Sequence, residues 1–380
     1  MAPAAHRSDV PLIALVHDNF AGPTGMGAVV NSFSHFVLDA GWRLAIIGDN
    51  VPDDLRAGAE QVIEVRNPSG LSKLPEHLEW SRRARRALRA VRADLIHVHA
   101  PTLADVADLH TSHMIARAAH ERGGEPPARG AEARLRAVQA RATLLLDDRL
   151  HRRIVRRTHL SFVSELLRDE FRRLYGEPRG GWVVSPSAPP WQPPTDARRR
   201  EARARFVVDA DRLTVGFLGG VDERKGFREA LALAGEPELD LLFAGPGSEQ
   251  VTAGDRPGLG FVEPEGLLAA CDVLVAPTTF DPAPVAVLEG LSRGVPVVTT
   301  RASGWAGVIE RTGAGAIWSA GSSLADACRR AARVDPRACR RFVEEAGSAR
   351  QSERLLTIYR ELLGRPDGAA SARAQATIRS

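Results

Sequence analysis

The stretch Thr279–Thr300, TFDPAPVAVLEGLSRGVPVVTT, places an acidic residue, two prolines, a short apolar helix, a Gly-Val-Pro break and a β-branched strand in one run. Asp281 and Glu289 are separated by seven residues. A helix beginning beside Pro282 or Pro284 presents free backbone N–H groups at its mouth and carries the Glu289 carboxylate two turns inside. The backbone at Ala283, Pro284 and Val285 would face a phosphate or a sugar, Pro284 supplying only its fixed conformation. A carboxylate is an acceptor for hydroxyls. Together they suit a nucleotide sugar. The bland alternatives are a solvated Glu289 and an Asp281 that only caps the helix.

Outward from this stretch, short apolar runs alternate with amphipathic ones. Strands are expected at PLIALVHD, RLAIIGD, QVIEVR, DLIHVHA and LSFVS in the first half, and at LTVGFLG, LDLLFAG, VLVAPT and VPVVTT in the second. Continuously apolar strands between helices indicate parallel sheets covered on both faces. Between Pro186 and Asp196 the chain reads PSAPPWQPPTD and loses all periodicity. The expectation is α/β: two Rossmann-like doubly wound domains facing each other across a cleft, residues 1–185 and 186–351, with 186–196 as linker. A helix at 352–363 and a disordered tail at 364–380 complete the chain. In such sheets ligands sit at the carboxyl ends of the strands.

The composition, 44% hydrophobic and 26% charged, is that of an ordinary globular protein of 380 residues. A net charge of +4 does not call for nucleic acid. The three cysteines have no C-x-x-C spacing and read as reduced and buried. No signal-peptide core and no bilayer-length apolar run is present, so a cytoplasmic location is expected, with peripheral membrane contact left open. The Ala/Arg-rich segment 116–157 reads as surface helices flanking a loop around GGEPPARG.

A second constellation is FLGGVDERKGF, Phe217 to Phe227. A strand ends at Gly219 and a loop brings Arg224 and Lys225 forward, as a diphosphate leaving group requires. Lys73 and Lys225 are the only lysines. Gly245 and Gly247 follow another strand and permit a tight turn. In the first half, HDNFAGPTGMG offers Gly25 and Gly27 for close backbone approach; its spacing is not a dinucleotide fingerprint. His97 and His99 share a strand face and His110 and His113 follow, but no further ligand cluster makes a metal site of them. Asp209-Ala-Asp211 precedes a strand and reads as a turn.

These motifs resemble the family 4 retaining glycosyltransferases (glycosyltransferase group 1, GT-B fold), most strongly over Leu213–Thr300. The resemblance implies transfer of a sugar from a nucleoside-diphosphate sugar, UDP- or GDP-linked, to an acceptor set by the first domain, a small-molecule natural product among the options. Lys225 and Arg224 would hold the diphosphate, Glu289 the ribose, Asp281 and His110 the donor sugar. Phe261 and Val262 would approach the base, Gly219, Gly245 and Gly247 run past the nucleotide, and Gly25 and Gly27 reach the donor. His97, His99 and His113 would lie on the acceptor side. The terminal helix would return to the first domain. Retention by front-face displacement needs no protein nucleophile, cofactor or metal. Two departures stand out: Gly220 occupies a position where the family often has Arg, and Asp281 replaces the usual Glu. They keep open a non-catalytic helper subunit, beside a sugar-nucleotide epimerase. The oligomeric state is not fixed, a homodimer being one option.

Overall fold

The computed structural model describes residues 10–20, 25–68, 73–123, 131–186 and 188–364. They form two compact units. The first is built from the residues up to Val184, apart from 121–123, and from Gln351 onward; the second holds 121–123 and Ser185–Arg350.

The first unit carries strands β1 (Leu12–Val16), β2 (Arg43–Gly48), β3 (Gln61–Glu64), β4 (Leu95–Val98), β5 (Leu109–Ser112), β6 (His159–Phe162) and β7 (Gly180–Val183). Between them run helices α1 (Gly25–Asp39), α2 (Asp53–Gly58), α3 (Lys73–Leu88), α4 (Ala116–Gly123), α5 (Ala131–Ile154) and α6 (Glu165–Tyr175). The sheet is parallel, in the order β3-β2-β1-β4-β5-β6-β7. The order reverses between β1 and β4, the position where doubly wound sheets open a crevice. Strand β1 is buried at every residue, so its LIALV run is apolar throughout rather than alternating.

The second unit contains α7 (Asp196–Arg205), β8 (Leu213–Leu218), α8 (Phe227–Ala232), β9 (Leu239–Ala244), the β10–β11 ribbon (Thr252–Ala253, Arg256–Pro257), α9 (Pro264–Ala270), β12 (Val273–Ala276), α10 (Val285–Ser292), β13 (Val297–Thr299), α11 (Ala306–Thr312), β14 (Gly315–Ile317), α12 (Leu324–Ala331) and α13 (Pro336–Ala346). Its parallel sheet runs β14-β13-β12-β8-β9 and reverses between β8 and β12. Side chains alternate between two cores. Val215, Phe217, Leu241, Phe243, Val273 and Val275 join α8 and α12 on one side, while Leu242, Leu274 and Val297 join α9, α10 and α13 on the other. Period-two alternation into two apolar layers is what a sheet covered on both faces requires.

The Pro-rich stretch is packed rather than free. Gln192 N donates to Ser292 O at 2.9 Å, and Trp191 lies against Gly294 and the second unit's core. Thr195 caps α7 by accepting from Arg198 N at 3.2 Å. Helix α14 (Ser348–Leu363) closes the chain, and its residues from Gln351 belong to the first unit. Buried Tyr359 bonds His97 Nδ1 at 2.6 Å, and His97 Nε2 bonds Thr111 Oγ1 at 2.7 Å. Thr111 continues the chain to Ser161. The three cysteines are buried and free. The Asp209-Ala-Asp211 run is a turn: Asp211 N donates to Asp209 Oδ1 at 2.9 Å. Residues 124–130 of the GGEPPARG segment, Gly22 and the tail beyond Gly364 lie outside the described residues.

Candidate active site

In the second unit, the two loops leaving β8 and β12 flank the reversal of strand order, and they are tied together. The Arg224 carbonyl accepts from Thr278 Oγ1 at 2.7 Å, from Thr279 N at 2.9 Å and from Thr279 Oγ1 at 3.2 Å. The Arg224 guanidinium donates to the Phe280 carbonyl at 3.0 Å and to Asp222 at 3.3 Å, and stands 3.8 Å from Asp281. Arg224 thus holds the loop as well as supplying charge. Lys225, next in a short 3-10 turn (Glu223–Lys225), is half-buried and makes no ion pair or side-chain hydrogen bond among the described residues. Its field reaches Asp281, where burial pushes the carboxyl up while Arg224 and then Lys225 pull it down. Gly226 turns the chain in a left-handed conformation, φ 78°, and a Cβ there would stand 2.2 Å from the Pro277 carbonyl oxygen.

Asp281 is not the cap of α10. The helix begins at Val285 behind Pro284, with no side-chain cap, so the capping expectation fails. Asp281 instead accepts from Ala283 N at 3.3 Å in a local turn. Prolines at 282 and 284 remove two donors and Asp281 uses a third. The amide groups of Val285 and Ala286 therefore open the helix without a backbone partner among the described residues. Glu289 lies in the second turn, half-buried, with no hydrogen-bond donor on its carboxylate among the described residues. Burial pushes its carboxyl up against the pull of Arg293, and nearby Glu263 raises it further. A solvated helix residue would show neither the burial nor the shift.

The glycines around these loops interlock. Gly219 N and Gly220 N both donate to Ala244 O at 3.1 Å, Val221 N to Pro246 O at 3.0 Å, and Gly245 N to Gly260 O at 2.7 Å. Gly220 has φ 66°, and a Cβ on it would meet Pro246 O at 2.7 Å. No side chain fits there without moving backbone, so the departure at this position is built into the loop. Gly220→Arg is expected to destabilise by about 2 kcal/mol or more and to leave nucleotide affinity no tighter. A urea midpoint within error of wild type would show that the loop yields. Gly245 and Gly247 lie at the carboxyl end of β9, Gly247 capping a short 3-10 turn. Phe261 is 70% exposed, while Val262 packs on the core beside α9. Only the phenyl ring is therefore available to stack on a planar group.

In the first unit the histidines gather where β1, β4 and β5 end. His17 and His99 rings are 5.6 Å apart, and His99 and His113 are 5.0 Å apart. His99 Nδ1 and His113 Nε2 share a hydrogen bond of 2.7 Å, leaving His99 Nε2 buried without a partner. Burial drives His17, His99 and His113 below the usual imidazole value. His110 sits differently. It lies inside β5, 1% exposed, bonded to the Val98 carbonyl at 3.2 Å and pushed down to about 3 by burial. His97 is likewise enclosed and engaged with Tyr359 and Thr111. The residue at the open strand end is His113, half-buried just past Ser112; His17 joins it without having been singled out in the sequence. Among the described residues no group of three His, Cys, Asp or Glu is arranged to hold a metal. Gly25 and Gly27 lie in the first turn of α1.

Residues 212–333 match the family model of the glycosyl transferases group 1. That span contains Lys225, Asp281 and Glu289. No curated protein matches by sequence. Solved structures do match in fold. Sucrose-phosphate synthase from Thermosynechococcus elongatus shares 20% identity, with a TM-score of 0.74 over 93% of this chain and 99% of that one. Anabaena HepE in complex with UDP and glucose shares 15%, with a TM-score of 0.69 over 92% and 100%. WaaG, a glycosyltransferase involved in lipopolysaccharide biosynthesis, shares 17%, with a TM-score of 0.62 over 95% and 99%. The fold is GT-B. No helix among the described residues is long and apolar enough to cross a membrane.

Proposed function

We propose that the chain is a retaining glycosyltransferase whose second unit binds a nucleoside-diphosphate sugar. The observation that carries this reading is the pairing, at one strand-order reversal, of an unpaired half-buried ammonium on Lys225 with the open mouth of α10. Two cations and free N–H groups at a crevice stabilise the charge that grows on a departing diphosphate. Glu289, a half-buried carboxylate without a donor of its own, accepts from ribose hydroxyls. In this reading the exposed Phe261 ring stacks on the base, and Asp281 accepts from the donor sugar. The group 1 match over these same residues supports the class of donor, and the HepE structure with UDP makes a UDP-sugar the first to test.

The bond from the anomeric carbon to the diphosphate oxygen breaks, its electron pair leaving with the diphosphate. The acceptor oxygen bonds to that carbon from the same face, and its proton passes to the leaving oxygen. No protein nucleophile is used; the protein positions the reactants and neutralises charge. The cations are Lys225 and Arg224, so a metal ion is not required. The acceptor, of small-molecule class, falls to the first unit, where His113 stands at an open strand end.

Calorimetric titration with UDP, GDP, ADP and dTDP, on wild type and on Lys225→Ala combined with Glu289→Ala, tests the donor site. One nucleotide should bind and the double variant should lose at least a hundredfold in affinity. Binding by none of the four, or binding that survives both changes, sinks the assignment in favour of a non-catalytic helper. Consumption of donor to an epimer without acceptor would mark an epimerase.

A further inference from the structure

A groove lies beside β3, at the edge of the first sheet and two strands from the β1–β4 reversal. Residues Ile63 to Arg66 and helix α3 line an open groove of about 650 Å³. That size lies within the range of small-molecule pockets. Its floor is Ile63, Val65 and Ala87, and its rim carries Arg66, Arg82, Arg83 and Arg86 with Glu64 and Glu79. Glu79 is taken by Arg82 at 3.1 Å and Arg83 at 3.0 Å, and Glu64 by Arg56 at 2.5 Å. Arg66 and Arg86 are exposed and have no carboxylate partner among the described residues. Trp80, fully buried on α3, donates from Nε1 to the Val65 carbonyl at 3.0 Å and stacks on His77, which ties α3 to the segment just past β3. Sheet order leaves the outer side of β3 without a strand neighbour.

We infer that this groove binds an amphiphilic anion: a phosphate head held by Arg66 and Arg86, with a short hydrocarbon segment on the Ile63–Val65–Ala87 floor. A guanidinium can take a phosphate through two N–H donors at once, and Arg66 and Arg86 line the same groove. The apolar floor and the methylene stems of the arginines give the hydrocarbon a surface that inorganic phosphate cannot use. The inference stands independently of the donor-site reading, since none of these residues belongs to it. The head could come from a free phosphorylated amphiphile or from a lipid in a bilayer, and the test separates them.

The probe is octyl phosphate below its micellar concentration, titrated into the full chain, with inorganic phosphate and octyl glucoside as comparators. Octyl phosphate should bind at least tenfold more tightly than either. Arg66→Glu with Arg86→Glu should weaken it at least tenfold while UDP binding stays as in wild type; both side chains are exposed, so the fold is not at stake. Equal binding of octyl phosphate and inorganic phosphate overturns the amphiphile, and unchanged binding in the double reversal overturns the site. Vesicles of phosphatidic acid that displace octyl phosphate identify a bilayer head as the source. Vesicles that leave octyl phosphate bound identify a free amphiphile; either result keeps the site.

Discussion

Between pH 7.5 and pH 5 the burial of His97 and His110 should cost the protein about 4 kcal/mol of unfolding free energy. His97 and His110 are neutral in the fold, pushed down to about 3 by burial from an ordinary 6.5. In the unfolded chain both recover the ordinary value and bind protons below it. The unfolded state then holds more protons than the native state, so stability falls as pH falls from 6.5 towards 3 and is flat above 6.5. Each of the two contributes about 2 kcal/mol of loss by pH 5, since every pH unit travelled below the ordinary value costs about 1.4 kcal/mol. His17, His77, His99 and His113 push in the same direction. Asp108 opposes them. Burial raises its carboxyl to about 6, so the native state takes up its proton first and stability is recovered as pH falls below that value. Asp281 and Glu289, also raised by burial, act with Asp108. Three carboxyls against six imidazoles do not reverse the slope between pH 6.5 and 5. Total stability of a domain is only about 5–15 kcal/mol, so unfolding near pH 5 is within reach. Urea titrations followed by circular dichroism at pH 7.5, 6.5, 5.8 and 5.0 give the slope directly, and a midpoint constant across that window would falsify the neutral cluster.

Lys225→Ala should lower kcat/KM for glycosyl transfer by about 10²–10³, the usual effect of removing one electrostatic stabiliser of a transition state. It should do so without moving the urea midpoint, because the ammonium has no partner among the described residues to lose. Lys225→Arg should recover part of the rate, since the proposed role at that point asks for charge. Arg224→Ala makes the contrast. Its guanidinium holds the Phe280 carbonyl, so its loss should cost both rate and about 1–2 kcal/mol of stability, a buried acceptor being left without its donor. A Lys225→Ala enzyme within twofold of wild type would remove the diphosphate role. A large drop accompanied by an equal drop in stability would turn Lys225 into a structural residue.

The histidines show why part of the site is not legible in the sequence. DLHTSHM offers two candidates, and the choice turns on which residue is the last inside the strand. That end is set by pairing with β4 and β6, not by the local residue types. It puts His110 in the interior and His113 at the opening. Strands β5, β7 and β14 escape notice for a related cause. LHTS has three polar residues out of four, GGWV begins with two glycines, and GAI is three residues long, so none shows enough apolar run to stand out. Their neighbours in the sheet supply the stability that their own composition lacks.

Other features are legible because they depend on residues close in the chain. Asp281, Glu289, the prolines and the β-branched run after Gly294 specify strand, loop, helix and strand through local backbone chemistry alone. The FLGGVDERKGF run likewise places Lys225 beyond a strand end. Alternating apolar runs announce two parallel sheets, since burial on both faces leaves no polar face to read. Long-range packing decided the rest. Asp281 became a turn residue because α10 starts three positions later than a cap would demand. Gly220 is fixed by the Pro246 carbonyl, which approaches from a loop after a different strand. Three imidazoles meet because the adjacent strands β1, β4 and β5 each carry one just past their carboxyl ends. Local preference fixes what a segment can be; only the pairing of distant segments fixes which atoms remain free for a ligand.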